Sequence, residues 1–305
     1  MNASNSNQLR GELFQQESMA RHTSWRVGGP ADYFYRPADI KDLASFIKSL
    51  PDNEKLFWVG LGSNLLVRDG GLRGTVICTS GVMNKIEFLP GQRVYVEAGL
   101  ASPQLARQCA KQGLTGIEYL CGIPGTVGGA LAMNAGARCG QFGGEIWERV
   151  ESVQMINRKG ELITRQANEF NVGYRSVHAP VESEWFVSVI LKLDKGDSEQ
   201  SLEQIKKHLA QRAATQPTQW PNAGSVFRNP EGDYAARLIE ASGLKNTCVG
   251  GACVSEKHAN FIINNGTAMA SDIETLIERI AMKIKDEYKV DLIREVRIVG
   301  EADGK

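Results

Sequence analysis

The sequence predicts an α+β chain with a separate α/β domain at its C-terminal end. Three observations carry that prediction. A β–α–β order holds as far as about residue 81 and then gives way to hairpin-forming strands. A charged linker begins around Asp197, after which helices and short strands alternate. At 305 residues the chain is long enough for two or three compact units, each with its own core.

The elements follow in order. ADYFYR reads as a strand, and Asp39 then caps a helix that places Ile40, Leu43, Phe46, Ile47 and Leu50 on one face. KLFWVG is the second strand, followed by GLGSNLLV, a DGG turn and the strand TVICTS. KIEFL and RVYVEAG pair around Pro90-Gly91. Ser102-Pro103 opens a helix that Gly113 stops. VQMINRKGELITR forms a hairpin around Arg158–Gly160, and EWFVSVILKLD is a buried strand. Beyond the linker, SLEQIKKHLAQRAA is helical with Leu202, Ile205 and Leu209 inward. Asp233 is expected to cap a helix ending at Gly243, and Ser271 one reaching about Lys289. CVSEKHANFIINNG supplies strands, and LIREVRIVG closes the chain as one more.

Composition excludes several classes of function. Thirty-five basic and thirty-five acidic residues cancel, so nothing calls for nucleic acid or an anionic membrane as partner. No apolar run approaches the roughly 18–20 residues of a membrane span. The polar start MNASNSNQLRGELFQQ has no signal-peptide core, which points to the cytoplasm. Six cysteines (78, 109, 121, 139, 248 and 253) form no CxxC pair, so structural thiols are expected rather than disulfides or zinc ligands.

Glycine is the unusual component. There are 32 of them, and nine fall between Gly116 and Gly144; such clusters mark backbone that turns sharply or approaches something closely. Gly60-Leu61-Gly62-Ser63-Asn64 directly follows a strand. It lacks the third glycine of GxGxxG, and LLVRDGG is no helix, so it is a poor Rossmann turn. It is either a plain tight turn or an array of N–H, hydroxyl and amide donors suited to phosphate. Gly122-Ile123-Pro124-Gly125-Thr126-Val127-Gly128-Gly129-Ala130 runs on to Asn134, with Thr126 placed to cap a short helix whose small residues leave the backbone uncovered. Its alternative use is tight helix packing. Two donor-rich loops in one unit suggest a dinucleotide held by its pyrophosphate.

A third stretch, NAGSVFRNP, sets Ser225 behind Gly224. A nucleophilic serine needs a neighbouring base, and none of the four histidines sits in an obvious catalytic setting. The plain reading is a turn serine.

Taken together, GLGSNLLV, GIPGTVGGALAMNAGA, GYRSV, NAGSVFRNP, SEKHANFIIN and a late Glu in LIREVRIVG resemble the UDP-N-acetylenolpyruvoylglucosamine reductases in order and spacing. The resemblance runs from about His22 to Gly300. It implies an FAD-binding domain of the vanillyl-alcohol oxidase and p-cresol methylhydroxylase type in two parts, residues 1–80 (with a mobile N-terminus) and 81–196. A substrate domain, 197–305, would follow, its terminal strand returning to the active site. The chain between Tyr174 and Trp185 is short, as in the second type of this family; the first type has an inserted loop whose tyrosine covers the substrate.

The resemblance also implies the chemistry. NADPH reduces noncovalent FAD, and the reduced flavin reduces the enolpyruvyl ether of a sugar nucleotide. Charge collects on the carboxylate as an enolate, and a proton must reach the α-carbon. Gly60, Gly62, Ser63, Asn64, Gly122, Gly125, Thr126, Gly128, Gly129 and Asn134 are implied to hold FAD, with no metal. Ser225 fits the proton donor, because an enolate is itself a strong base and needs only a positioned hydroxyl. Arg175 fits the carboxylate, as a permanently charged fork, or else is a solvated loop residue. Glu295 is either an inward carboxylic acid with a raised pKa or one half of a structural salt bridge. Arg228 and Asn229 suit the diphosphate or sugar, as does Lys257. Two other functions fit a chain of this kind: an FAD oxidase acting on an alcohol or sugar, and a nucleotide-binding subunit without chemistry of its own.

Overall fold

The structure is a computed structural model that describes residues 9–137 and 143–303. Cys139 and the first eight residues lie outside that range. The chain forms two compact units, one comprising residues up to Phe14, Tyr33–Leu61 and Thr75–Ala210, the other Gln15–Asp32, Gly62–Gly74 and residues from Gln211 onward.

In the first unit, helix α1 (Ile40–Ser49) starts where Asp39 accepts the Asp42 N–H. Its inward face, Leu43, Phe46 and Ile47, packs with Tyr35 and Ile77, each such side chain contributing about 1.5–3 kcal/mol by leaving water. The strand Leu56–Val59 runs parallel to the Thr75–Cys78 end of Leu72–Cys78; in the sheet order Leu72–Cys78 stands between Leu56–Val59 and Pro30–Arg36, so the two strands that α1 connects are not neighbours. A five-stranded antiparallel sheet follows, in the order Leu162–Gln166, Val150–Asn157, Glu184–Lys192, Arg93–Glu97, Ile86–Leu89. Glu184–Lys192 is its middle strand, which explains the apolar run VSVIL. Helices α2 (Ser102–Lys111) and α3 (Val127–Ala132) join this sheet's core. Helix α4 (Ser198–Thr215) adds Ile205, with Leu202 and Leu209 partly buried beside it.

In the second unit, helices α5 (Ala235–Ala241) and α6 (Ala270–Tyr288) enclose a core with the short strands Cys248–Val249, Ala252–Val254 and Ile262–Asn264. Leu65–Val67 pairs in parallel with Arg297–Val299.

Several local expectations are corrected here. Neither helix of this unit takes its cap from the expected residue. The α6 N–H groups of Ala270 and Ser271 donate to the two oxygens of Asp69, both at 2.9 Å, so a carboxylate from the DGG turn replaces the Ser271 hydroxyl; a negative charge suits the positive end of the helix dipole. At α5, Asn229 accepts the Ala235 N–H (3.1 Å) while Asp233 binds only the Tyr234 N–H (2.7 Å) and Arg237. LIREVRIVG is strand only from Arg297 to Val299. Cys248 and Cys253 are joined as a disulfide. They lie directly opposite each other across the hairpin Cys248–Val249/Ala252–Val254, a proximity that sequence spacing alone did not reveal. Cys78, Cys109 and Cys121 are buried thiols, as expected, and burial pushes the Cys109 thiol up to about 12.

Candidate active site

The first glycine loop divides between the units, with Gly60 and Leu61 in one and Gly62, Ser63 and Asn64 in the other. Gly60 lies against the second glycine loop, since a Cβ there would sit 2.2 Å from Thr126 Oγ1. Gly62 has φ +67 and would drive a Cβ to 2.0 Å from the His22 carbonyl. Asn64 ties its loop to the C-terminal segment: its Nδ2 donates to the Glu295 carbonyl at 3.1 Å, and its carbonyl accepts the Arg297 N–H at 3.0 Å.

The second loop enters α3 as the sequence predicts, with Thr126 accepting the Gly129 N–H at 3.4 Å. Much of its donor array already serves the fold. Val127 donates to the Leu100 carbonyl and Gly128 to the Ala98 carbonyl, both at 2.8 Å. Gly128 therefore offers a ligand only its missing side chain, and even that space is narrow, because a Cβ would lie 2.9 Å from Ala98 Cβ. Ala101 and Thr126 form an isolated bridge flanked by Val127 N–H to Leu100 and Ser102 N–H to Gly125, which leaves the Thr126 N–H out of that ladder. Asn134, at 0% exposure, holds φ +41. Its Nδ2 donates to Glu145 Oε2 (2.6 Å) and the Gly173 carbonyl (3.1 Å), while its Oδ1 is buried with no donor among the described residues. A buried acceptor without a donor costs on the order of 1–3 kcal/mol. Small-residue backbone, the Thr126 N–H and this acceptor together fit a ligand that carries both anionic oxygens and N–H or O–H donors, as FAD does.

Arg175 sits at the tip of the two-residue hairpin loop between Asn171–Gly173 and Ser176–His178, with φ +53. Its Nη1 and Nη2 donate to the carbonyls of Asn134 (3.2 Å) and Gly136 (2.6 Å), and its guanidinium lies 5.3 Å from the Tyr174 ring centroid. The fork thus holds the chain just beyond α3, a structural duty that the GYRSV motif did not reveal.

Ser225, Arg228 and Glu295 belong to the second unit and share one backbone network. Glu295 N–H donates to the Val226 carbonyl and Arg228 N–H to the Ile293 carbonyl, both at 2.8 Å, around a Phe227/Arg294 bridge. Gly224 has φ +75, and a Cβ there would meet nothing within 4 Å. That left-handed conformation favours glycine. Asn222 Oδ1 accepts the Gly224 N–H at 3.0 Å to complete the turn. Asn229 spends its side-chain oxygen on α5, and Lys257 Nζ donates to the Ala213 carbonyl. His258 packs edge-on to Phe261, and burial lowers its pKa, so it is a neutral packing residue at pH 7.

Two residues escaped the sequence reading. Glu145, half-buried, accepts the Asn134 side-chain amide, and Asn260 grips the Ser225 segment from the far side. The only signal for Asn260 was a polar residue inside the apolar run of HANFII. No group of three or more metal-ligating side chains occurs among the described residues, and none of their helices is long and apolar enough to cross a membrane.

Known proteins are similar to this chain. A family model described as "UDP-N-acetylenolpyruvoylglucosamine reductase, C-terminal domain" matches residues 216–299, and one described as "FAD binding domain" matches residues 31–165. The chain is 54% identical over 292 residues to the UDP-N-acetylenolpyruvoylglucosamine reductase of Alkalilimnicola ehrlichii, covering 96% of each chain. It is 56% identical over 293 residues to that of Methylococcus capsulatus, covering 96% of this chain and 95% of the relative. The crystal structure of the reductase from Thermus caldophilus is similar with a TM-score of 0.80 at 32% identity, over 95% of this chain and 99% of the other.

Proposed function

The chain belongs to the UDP-N-acetylenolpyruvoylglucosamine reductase family, and we propose that it reduces UDP-N-acetylglucosamine enolpyruvate to UDP-N-acetylmuramate, with noncovalent FAD as bound cofactor and NADPH as electron donor. It is an FAD-dependent oxidoreductase of peptidoglycan precursor synthesis, with an FAD-binding domain of the vanillyl-alcohol oxidase type followed by the C-terminal domain of the family. FAD, when bound, would supply hydride chemistry, coupling oxidation of NADPH to delivery of a hydride at the β-carbon of the enolpyruvyl group.

The chain's own residues have two tasks in this reading. Negative charge gathers on the substrate carboxylate, and Arg175 meets it with its planar guanidinium fork. A proton must then reach the α-carbon, and Ser225 donates it. Glu295 and a water would return a proton to the serine or hold the carboxylate end of the substrate. Arg228, Asn229 and Lys257 would receive the diphosphate and sugar. The glycine loops, Ser63, Thr126 and Asn134 would hold the cofactor. We assign cofactor binding to residues 1–80 and 81–196 and substrate binding to 197–305, in a cytoplasmic protein acting on small molecules.

The observation that carries this reading is the joint anchoring of Ser225 and Glu295, whose segments are locked by the Glu295 N–H to Val226 carbonyl bond of 2.8 Å. One backbone network thus carries both residues that this reading needs, the serine and the carboxylate. Purified protein should be yellow and should oxidise NADPH rapidly only when the enolpyruvyl sugar nucleotide is present. Oxidation of an alcohol or sugar by molecular oxygen, with no response to that substrate, would sink the proposal in favour of an oxidase. A flavin-bearing protein inert to every such addition would favour a binding subunit.

A further inference from the structure

The residues just after Ser225 have two edges, and only one of them faces the Glu295 segment. The other edge faces Asn260, which is 4% exposed. Asn260 Oδ1 accepts the Phe227 N–H at 3.0 Å, its Nδ2 donates to the Phe227 carbonyl at 2.8 Å, and its own carbonyl accepts the Val226 N–H at 2.9 Å. One side-chain amide therefore does the work of a neighbouring strand, supplying one donor and one acceptor to a single residue. Phe227 is 1% exposed, so without that amide both of its backbone groups would be buried and unpaired. With it, the N–H and carbonyl of Val226, those of Phe227 and the N–H of Arg228 all have named partners.

We propose that Asn260 is a positioning residue for Ser225: its amide fixes the Val226–Phe227 backbone, and hence the place from which the serine hydroxyl delivers its proton. The inference rests on the reading of Ser225 as the proton donor. It follows from where the two sides of Ser225 are anchored. The Gly224 N–H is tied within its own turn, to Asn222 Oδ1 at 3.0 Å, whereas Val226 and Phe227 are tied to segments far along the chain. Proton transfer to carbon requires donor and acceptor aligned at close range, and a displacement of about 1 Å can cost roughly 10²-fold in rate.

The test uses the FAD-loaded enzyme and follows flavin absorbance separately in its reduction by NADPH and its reoxidation by the enolpyruvyl substrate. Asn260→Ala should slow reoxidation by roughly 10²-fold and leave flavin reduction unchanged. The double variant Ser225→Ala/Asn260→Ala should be no slower than Ser225→Ala alone, because a residue that acts through the serine has nothing left to position. Asn260→Asp supplies a second route should the alanine variant fold poorly. A protonated carboxyl presents one acceptor and one donor, as the amide does, and burial raises its pKa. Its reoxidation rate, taken relative to the unmodified enzyme at each pH, should rise as pH falls; His258 Nδ1 accepts the Asn260 N–H at 3.3 Å, and repeating the series in a His258→Gln background removes that neighbouring titration. Additive losses in the double variant, equal slowing of both half-reactions, or a flat ratio for Asn260→Asp would overturn the inference. Normal reoxidation in Ser225→Ala would instead remove the proton-donor reading on which it rests. A slow Ser225→Ala beside a normal Asn260→Ala would remove the positioning role alone.

Discussion

The loop from Gly122 to Asn134 and the loop from Asn222 to Pro230 look alike in sequence, each a run of Gly, Asn and Pro with one hydroxyl residue. They use glycine in opposite ways. Around α3 the glycines let backbone meet backbone: Gly128 donates to the Ala98 carbonyl at 2.8 Å, and a Cβ on Gly60 would strike Thr126 Oγ1. At Gly224 there is nothing to strike, and the residue is needed for φ +75. The first loop is a packed platform that presents a ligand with little beyond the Thr126 N–H and the Asn134 oxygen. The second is a hinge-like turn whose following residues are gripped on both edges. Composition reports that the backbone is under demand; only contacts say which demand.

If the second loop is the chemical one, the largest loss should come from its serine. Ser225→Ala should lower turnover by roughly 10²–10⁴-fold, the range for a general acid, and Ser225→Cys should recover part of it through a thiol donor. Steady-state NADPH oxidation measures both. Arg175→Lys probes the platform side, keeping the charge while losing the fork. Turnover should fall by roughly 10²-fold, more than affinity does; a rise in KM alone would reduce Arg175 to docking. Because the fork also holds the carbonyls of Asn134 and Gly136, the melting temperature should be measured alongside.

Two glycine replacements sharpen the contrast further. Gly128→Val should cost about 1–3 kcal/mol, as overpacking does, and lose flavin at the same time, since the space is already filled by Ala98. A stable variant that merely lacks flavin would mean the ligand, not Ala98, is what the glycine accommodates. Gly224→Ala should cost only about 1 kcal/mol, the strain of a left-handed residue, and Gly224→Asn less. Urea unfolding distinguishes these cases.

The smallest expected effect concerns the base of the platform. Glu118, which begins the short 3-10 turn leading into Gly122, is 6% exposed. Burial alone would push its pKa up, but hydrogen bonds from the Thr115 and Ser201 hydroxyls and the Gly116 N–H outweigh that and hold it below the usual carboxylate range. A depressed folded pKa stabilises above the ordinary Glu value of about 4.3. That contribution is lost as pH falls below it, through the folded pKa. Glu118→Gln should therefore flatten the acid limb of the stability curve relative to the unmodified protein, as read by melting temperature against pH.

Much of this molecule was legible in its sequence, because periodicity and caps are local. The α1 cap at Asp39, the Thr126 cap, the hairpin around Arg158–Gly160 and the inward face of α4 all depend on residues a few positions apart. What was not legible depends on partners far along the chain. Asp69 caps a helix about 200 positions away, Asn260 reaches back 33 positions to Phe227, and Asn64 reaches Glu295 across 231. Nothing near Asn229 in the sequence predicts that its side-chain oxygen also accepts the Ala235 N–H. Cys248 and Cys253 looked like separate thiols until a two-residue turn set them opposite each other.

The central claim is that Ser225 serves the substrate half of the reaction only. Stopped-flow absorbance of the Ser225→Ala enzyme tests it most directly, with FAD bound and the two halves started separately. Flavin bleaching by NADPH should run at the normal rate, and reoxidation by the enolpyruvyl substrate should carry the whole loss of roughly 10²–10⁴-fold. A variant slow in bleaching, or normal in reoxidation, would contradict the account and leave Ser225 as the turn residue that its immediate neighbours suggest.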